Sequence, residues 1–538
     1  MYAINKRVLM NRMFIKKTLF LFTILNLRQK QIFYRIYYLI RSKYRYLINF
    51  SYPLLIEHQI YFLNLVRSVV DISLYKNTGF IFLNKNKQFI SIINWNYSKY
   101  GKLWTYNLTY FDYLQQKDMT KEEGVKLIYD FIEQSDNIKD GFMPFPISLR
   151  GTNWIKFLSK HKINDPKINN SLYAQYMILM DNIEYHILGN HLLENGFSLL
   201  FGAYYFQDEK LYAKAKKILT EELEEQILSD GAHFELSPMY HQIMLFRVLD
   251  CINLVQNNNW KKHELLDVLT AKAEIMLRWL HTMTYQNGNI PLLNDSANKI
   301  APTTKELIEY ALRLNSKFKI QHSNLSDSGY RKIENERYEM VIDVGNIGPD
   351  YIPGHAHSDT FNFELYIDGN PFIVDTGLST YENNARRMLE RSTFSHNTVE
   401  IDGENQSEMW SAFRVARRAK IIYLKESDNY IEATHDGYRR IGALHTRKFI
   451  TYNNYIVIED TIESSGKHQG IAYLHFYPGI LPEVKDNKII ILNRTIKLNN
   501  ADKLTIETYK YAPEFNKLID AFQVKVEFKN YLRMEIHI

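Results

Sequence analysis

The hydrophobic period of the chain changes once, near Asn324, and that change limits the folds open to it. From about residue 100 to 320, apolar residues recur at three- and four-residue steps. Leu211, Ala215, Ile218, Leu219, Leu223 and Ile227 do so between Lys210 and Leu228, until Ser229-Asp230-Gly231 stops the run. His263 to Met283 repeats the pattern through Leu265, Leu269, Ala273, Met276 and Leu280. Short loops between such segments predict sequential antiparallel helix pairs. From Tyr338 onward the texture alternates instead: Glu339 to Val344, Thr398 to Ile401, Lys420 to Leu424, Lys448 to Glu459, Lys488 to Leu492 and Phe522 to Phe528. Asp402-Gly403, Asn453-Asn454 and Asp486-Asn487 supply turns between them. An antiparallel β domain follows, most simply a sandwich. The expectation is an α+β multidomain chain, with an N-terminal extension (1–95), a helical domain (96–325) and a β domain (326–538). At 538 residues the chain is too long for one ordinary core, which agrees.

The extension reads as helical and then as short strands at Phe80 to Leu83 and Phe89 to Ile93. Lys16-Lys17 and the apolar run Thr18 to Leu25 resemble the start of a signal, but no small-residue cleavage site follows. The run is also shorter than the roughly 20 residues needed to cross a bilayer. The basic, aromatic stretch beyond it, with Arg35, Arg41, Lys43 and Arg45 among tyrosines, suits a peripheral membrane contact. A cytoplasmic or membrane-peripheral location is favoured, with export the alternative if 13–30 acts as a signal. Net charge is +6, a mild excess that favours an anionic partner. No Lys/Arg block argues for nucleic acid. The single cysteine, Cys251, rules out an intrachain disulfide. The 39 tyrosines suit stacking on sugar rings, and equally reflect a coding bias towards Lys, Asn, Ile and Tyr.

Chemistry-bearing residues gather in Gly354 to Asn397. Phe361 to Ile367 alternates, Asp368-Gly369 is a turn pair and Pro371 to Val374 returns, so a hairpin brings His357 and Asp375 together at its open end. One more histidine arriving nearby, from a stretch that also holds His355 and His396, would make a His/Asp/His set that zinc can accept. The spacing is not one of the short zinc patterns, and histidines on such loops are as often only hydrogen-bonded surface groups. In the helical half, Asn190 and His191 lead into an apolar run, where they suit helix capping as well as chemistry. Ser237 is a good N-cap and Pro238 a good first residue, so Tyr240 falls in a helix's first turn, where the dipole favours its phenolate.

The segments Leu103 to Leu114, Pro144 to Phe157, Gly189 to Phe206 and Asp230 to Gln242, with the histidine-rich stretch, resemble the heparinase II/III family of polysaccharide lyases. The likeness covers roughly Trp104 to Arg447 and is greatest to members found with surface-polysaccharide genes. It implies an (α/α) toroid followed by an antiparallel β-sandwich, and β-elimination on a uronic-acid polymer, an acidic polysaccharide. It assigns Asn190 and His191 to neutralising the substrate carboxylate, and Tyr240 and His355 to proton transfer. His357, Asp375 and His396 become ligands of a structural zinc ion, and Tyr381 a substrate contact. Glu235, Arg414 and Arg439 are weaker candidates for orienting the sugar. A glycan-binding or assembly protein without turnover, and a hydrolase of the same cleft, remain the alternatives. Gly151-Thr152-Asn153 departs from the family's pattern by reading as a less bulky turn beside Trp154.

Overall fold

The structure is a computed structural model and describes residues 16–69, 74–261 and 264–538. The helical half alternates between two kinds of helix. Pro144–His161, Gly189–Phe206 and Pro238–Asn257 are buried around most of their circumference. Pro166–Asp181, Glu209–Gln226 and Leu266–Met283 bury one stripe each and carry charge on the other side. The first kind forms an inner ring and the second packs outside it as antiparallel partners, which is the (α/α) toroid. The expected helix from Lys210 begins one residue earlier because Asp208 accepts hydrogen bonds from the Lys210 and Leu211 amides. The next begins at Leu266, and His263 lies outside the described residues. Gly151 is no turn. It sits inside the inner helix Pro144–His161, where a Cβ would meet the Tyr176 hydroxyl at 2.7 Å, so the glycine lets two helices close together.

In the extension the segments 16–24 and Gln29–Leu47 are helical, followed by an extended strap over 51–69. The strap bonds across the toroid, with the Tyr61 amide donating to the Tyr205 carbonyl and the Val66 amide to the Asn253 side chain. A small sheet joins Leu74–Lys76, Gly79–Phe82 and Lys85–Gln88. The strand expected at Phe89 to Ile93 does not form. Phe89 and Ile93 are buried, but in loop, because left-handed Leu83 and Asn84 turn the chain early and spend the pairing on Lys85–Gln88.

The β half is a sandwich. One layer is an eight-stranded antiparallel sheet running from Ile421–Ser427 to Glu483–Lys485. The other joins two four-stranded sheets through the bridge between Ile373 and Phe476. The expected strand Lys448 to Glu459 is two strands, Ala443–Thr451 and Tyr455–Ser464, folded at the Asn453-Asn454 turn. The hairpin Phe363–Ile367 with Asn370–Ile373 forms as expected, Asp368 and Gly369 both taking positive φ. Along Tyr338–Asp343 and Phe363–Ile367 every residue is buried. Met340, Ile342, Phe363 and Leu365 face the sandwich core. Val341 and Tyr366, pointing the other way, join the core of the helical half. Those two strands therefore weld the halves together, and the irregular segment 284–303 is pinned between them. Glu364 accepts hydrogen bonds there from Tyr285 and from the Leu292 amide.

Candidate active site

Asn190, Tyr240, His355 and Tyr381 come from four separate stretches and meet where the toroid faces the sandwich. Ser237 caps the helix Pro238–Asn257 by accepting from the Tyr240 amide at 3.2 Å, which fixes Tyr240 in the first turn. Its ring lies 3.9 Å from the His355 ring, centroid to centroid, and its hydroxyl accepts from the Tyr381 hydroxyl at 3.3 Å. Asn190 stands in the first turn of Gly189–Phe206 and does not cap it; Leu188 holds that position without a side-chain bond. The Asn190 amide nitrogen donates to Glu235 at 2.8 Å and lies 3.4 Å from His355 Nε2. Tyr240, Asn190 and Tyr381 line a cavity of about 190 Å³, together with Tyr110, Phe145 and Arg247.

The hub beneath them is Asp295, on the irregular 284–303 segment and fully buried. It accepts hydrogen bonds from both nitrogens of the Arg387 fork, and its oxygens lie 2.8 Å from His355 Nδ1 and 2.8 Å from His357 Nε2. Burial alone would raise this carboxyl, but the Arg387 guanidinium and the two imidazoles hold it well below the usual carboxylate range. An ionised Asp295 favours the His355 proton on Nδ1, and Nε2 faces the Asn190 amide nitrogen at 3.4 Å with Glu235 Oε2 at 3.7 Å.

Tyr240 behaves opposite to the dipole expectation. Removal from water pushes its phenol well above the ordinary value, and the bond from Tyr381 only partly offsets this, which favours the neutral phenol. Burial likewise raises Tyr381, which rests on Phe413, Phe515 and the Arg387 guanidinium. His191 sits at the rim, its ring 4.5 Å from Phe145 and its Nδ1 3.0 Å from Glu184. Burial works against the charged ring, but Glu184, with Glu235 and Glu194 beyond it, raises its pKa and favours the cation.

The other residues expected at the site fall elsewhere. Glu235 is buried under Asn190 and accepts from its backbone and side-chain nitrogens, so it orients Asn190. Arg414 is exposed and stacks on Trp410. Arg439 is exposed on the far side of a short turn and pairs with Asp436. Neither arginine is brought to the cavity lining.

His357, Asp375 and His396 are fully buried together, the two rings 5.2 Å apart and His396 Nδ1 2.7 Å from Asp375. His357 Nδ1 and His396 Nε2 have no hydrogen-bond partner among the described residues, and nearby Asp359 and His475 each carry another such atom. Among the described residues, however, no three His, Cys, Asp or Glu side chains are gathered as a ready metal-binding group. The donor types and the orphaned nitrogens fit a zinc ion; the spacing of the side chains is looser than a formed site.

Two residues that touch this machinery carry no distinct signal in the sequence. Asp295 lies in a segment without period. Arg387 is one of several arginines in its stretch. Arg247 was legible in principle: it stands seven residues after Tyr240 on the same helix face, and pairs with Glu194 at 3.0 Å.

A helical toroid is thus followed by a β-sandwich, with imidazole, phenol and amide groups meeting where the two halves face each other. The chain belongs to the heparinase II/III family: residues 90–320 match the heparinase II/III N-terminus and 320–535 the heparinase II/III-like C-terminal domain. It is 24% identical over 389 residues to a heparin-sulfate lyase of Bacteroides stercoris, covering 66% of this chain and 54% of that protein. A heparin-sulfate lyase of Pedobacter heparinus is 22% identical over 413 residues, covering 70% and 58%. The chain thus spans little more than half the length of these curated relatives. A crystal structure of heparinase III shares the fold with a TM-score of 0.68 at 18% identity, over 83% of this chain and 79% of that one. A heparan sulfate lyase structure from Pedobacter heparinus gives 0.55 at 17%, over 84% and 79%.

Proposed function

We propose that this chain is a polysaccharide lyase that cleaves a uronic-acid polymer by β-elimination. The observation that carries the reading is the close ring contact of Tyr240 with His355, whose Nδ1 lies 2.8 Å from Asp295. His355 Nε2 takes the C5 proton, and its electron pair forms the C4–C5 double bond. The C4–O4 bond breaks, and O4 receives its proton from the Tyr240 hydroxyl. A cationic His191 and the Asn190 amide offset the carboxylate charge, which acidifies C5. Tyr381 donates to Tyr240 and supports its hydroxyl in place. The names of the relatives make heparin-type sulfated polymers the first substrates to try.

His357, Asp375 and His396 would hold a zinc ion, whose contribution is to brace the loops beneath the cleft; the proton transfers need no step through it. The orphaned His357 and His396 nitrogens support this assignment.

The test is a panel of uronate polymers followed by the absorbance of the new double bond. Activity on at least one, with Tyr240→Phe slower by about 10²–10⁴-fold, is expected. Saturated products would point to a hydrolase, and tight glycan binding without product to a non-catalytic protein. Either result removes the lyase reading.

A further inference from the structure

The helix Gln29–Leu47 is built inside out. Its polar stripe faces the protein: Gln31 Nε2 donates to the Ile187 carbonyl at 3.0 Å, Tyr38 to the Ile183 carbonyl at 2.6 Å, and Arg45 pairs with Asp181 at 2.6 Å. Its apolar stripe faces outward, with Phe33, Ile36, Leu39, Ile40 and Leu47 between 55% and 77% exposed. The neighbouring helical segment 16–24 and the turn after it leave Leu21 and Leu25 exposed on the same extension. Contiguous apolar exposure on this scale marks a contact surface.

The charge on this extension selects the contact. Of the chain's 66 basic and 60 acidic residues, eleven basic and no acidic ones precede residue 51, so the remainder of the chain carries a net charge of −5 against the overall +6. Arg28, Lys30, Arg41 and Arg45 are paired with acids of the toroid. Lys16, Lys17, Arg35 and Lys43 form no ion pair with a described residue. A second copy of the chain would bring two such positive surfaces together and be repelled. An apolar helix face about 28 Å long, flanked by tyrosines and by cations with no acidic partner among the described residues, suits the headgroup layer of an anionic bilayer. No described helix is long and apolar enough to cross a membrane, so the contact is in-plane.

We infer that the inverted helix Gln29–Leu47, with segment 16–24, docks the chain on an anionic lipid surface. The docking sits beside the cleft. Thr23 accepts from Trp410 at 3.0 Å and donates to the Val415 carbonyl, holding the hairpin Met409–Ser411 and Arg414–Val415. Between those strands Phe413 packs against His355 and Tyr381. The polymer would then be met at the membrane surface. This inference stands on the extension alone and does not depend on the lyase reading.

The experiment is flotation of the full chain with vesicles of phosphatidylcholine alone and with about one-third phosphatidylglycerol. Binding to the anionic vesicles, weakened by salt, is expected. The triple variant Phe33→Ser, Ile36→Ser, Ile40→Ser should bind at least about tenfold more weakly with an unchanged melting temperature, because these side chains are outside the core. Lys16→Gln, Lys17→Gln, Lys43→Gln should lose the preference for anionic lipid. Absence of binding by the unaltered chain, or equal binding by the triple variant, overturns the inference. So does a dimer in solution that the triple variant dissolves without any vesicle binding, since that outcome assigns the face to a second copy.

Discussion

Replacing Asp295 with asparagine keeps the volume and removes one buried charge. Four donor groups converge on that carboxylate: both nitrogens of the Arg387 fork, His355 and His357. Arg387 is itself fully buried, and its remaining hydrogen bond goes to the Ala412 carbonyl. Uncovering such a cation costs on the order of 3–5 kcal/mol, which lowers Tm by roughly 3–4 °C in a chain of this length. The chemical loss is separate. An asparagine offering N–H to His355 Nδ1 moves the ring proton to Nε2, which removes the lone pair from the cleft. In other Asp–His sites the same exchange costs on the order of 10⁴-fold in turnover. The assay pairs thermal unfolding with double-bond absorbance on the best polymer, at a temperature well below the variant's Tm. A variant that melts with the unaltered chain and turns over within threefold of it would refute the hub argument, for then neither Arg387 nor His355 depends on the charge.

The raised pKa of His191 gives a pH signature. Its ion pair with Glu184 contributes stability that is full below the imidazole's unfolded value of about 6.5 and is lost as pH rises through the raised folded value. Turnover should decline over the same window, and His191→Gln should flatten that limb. Gly231 has φ +98°, and a Cβ there would lie 2.1 Å from the Ile275 carbonyl oxygen. Gly231→Ala should therefore destabilise by about 3 kcal/mol in urea unfolding and disturb the turn that leads to Tyr240. His357→Ala should lower metal content and Tm together, whereas His355→Ala should lower turnover and leave bound metal unchanged by elemental analysis. Equal metal loss in both variants would remove the assignment of His357 as a ligand.

The two-part architecture was legible because it rests on local periodicity. A 3.6-residue stripe can only be buried by another helix or a sheet, and a two-residue alternation only by a facing layer. Leu211 to Ile227 and Phe361 to Ile367 each declared their element in this way. The Asp368-Gly369 turn and the Ser237-Pro238 start were equally local. Tyr240 was therefore placed correctly in its helix, but its surroundings were not visible. The dipole of the first turn is visible in sequence, but the burial that outweighs it comes from the sandwich.

What the sequence by itself determined was the order of a helical and a β domain and the hairpin that carries His357 and Asp375; the candidate proton-transfer residues came from the family resemblance. Only the tertiary structure decided which side chains meet. It brought Asp295 in from a segment with no period, set Glu235 under Asn190, and left Arg414 and Arg439 outside the cleft. It also turned Arg41 and Arg45, expected at a membrane contact, inward onto Asp181 and left the apolar stripe of Gln29–Leu47 outward. Each of these depends on contacts between residues far apart in the chain, whose electrostatics and desolvation no local pattern encodes.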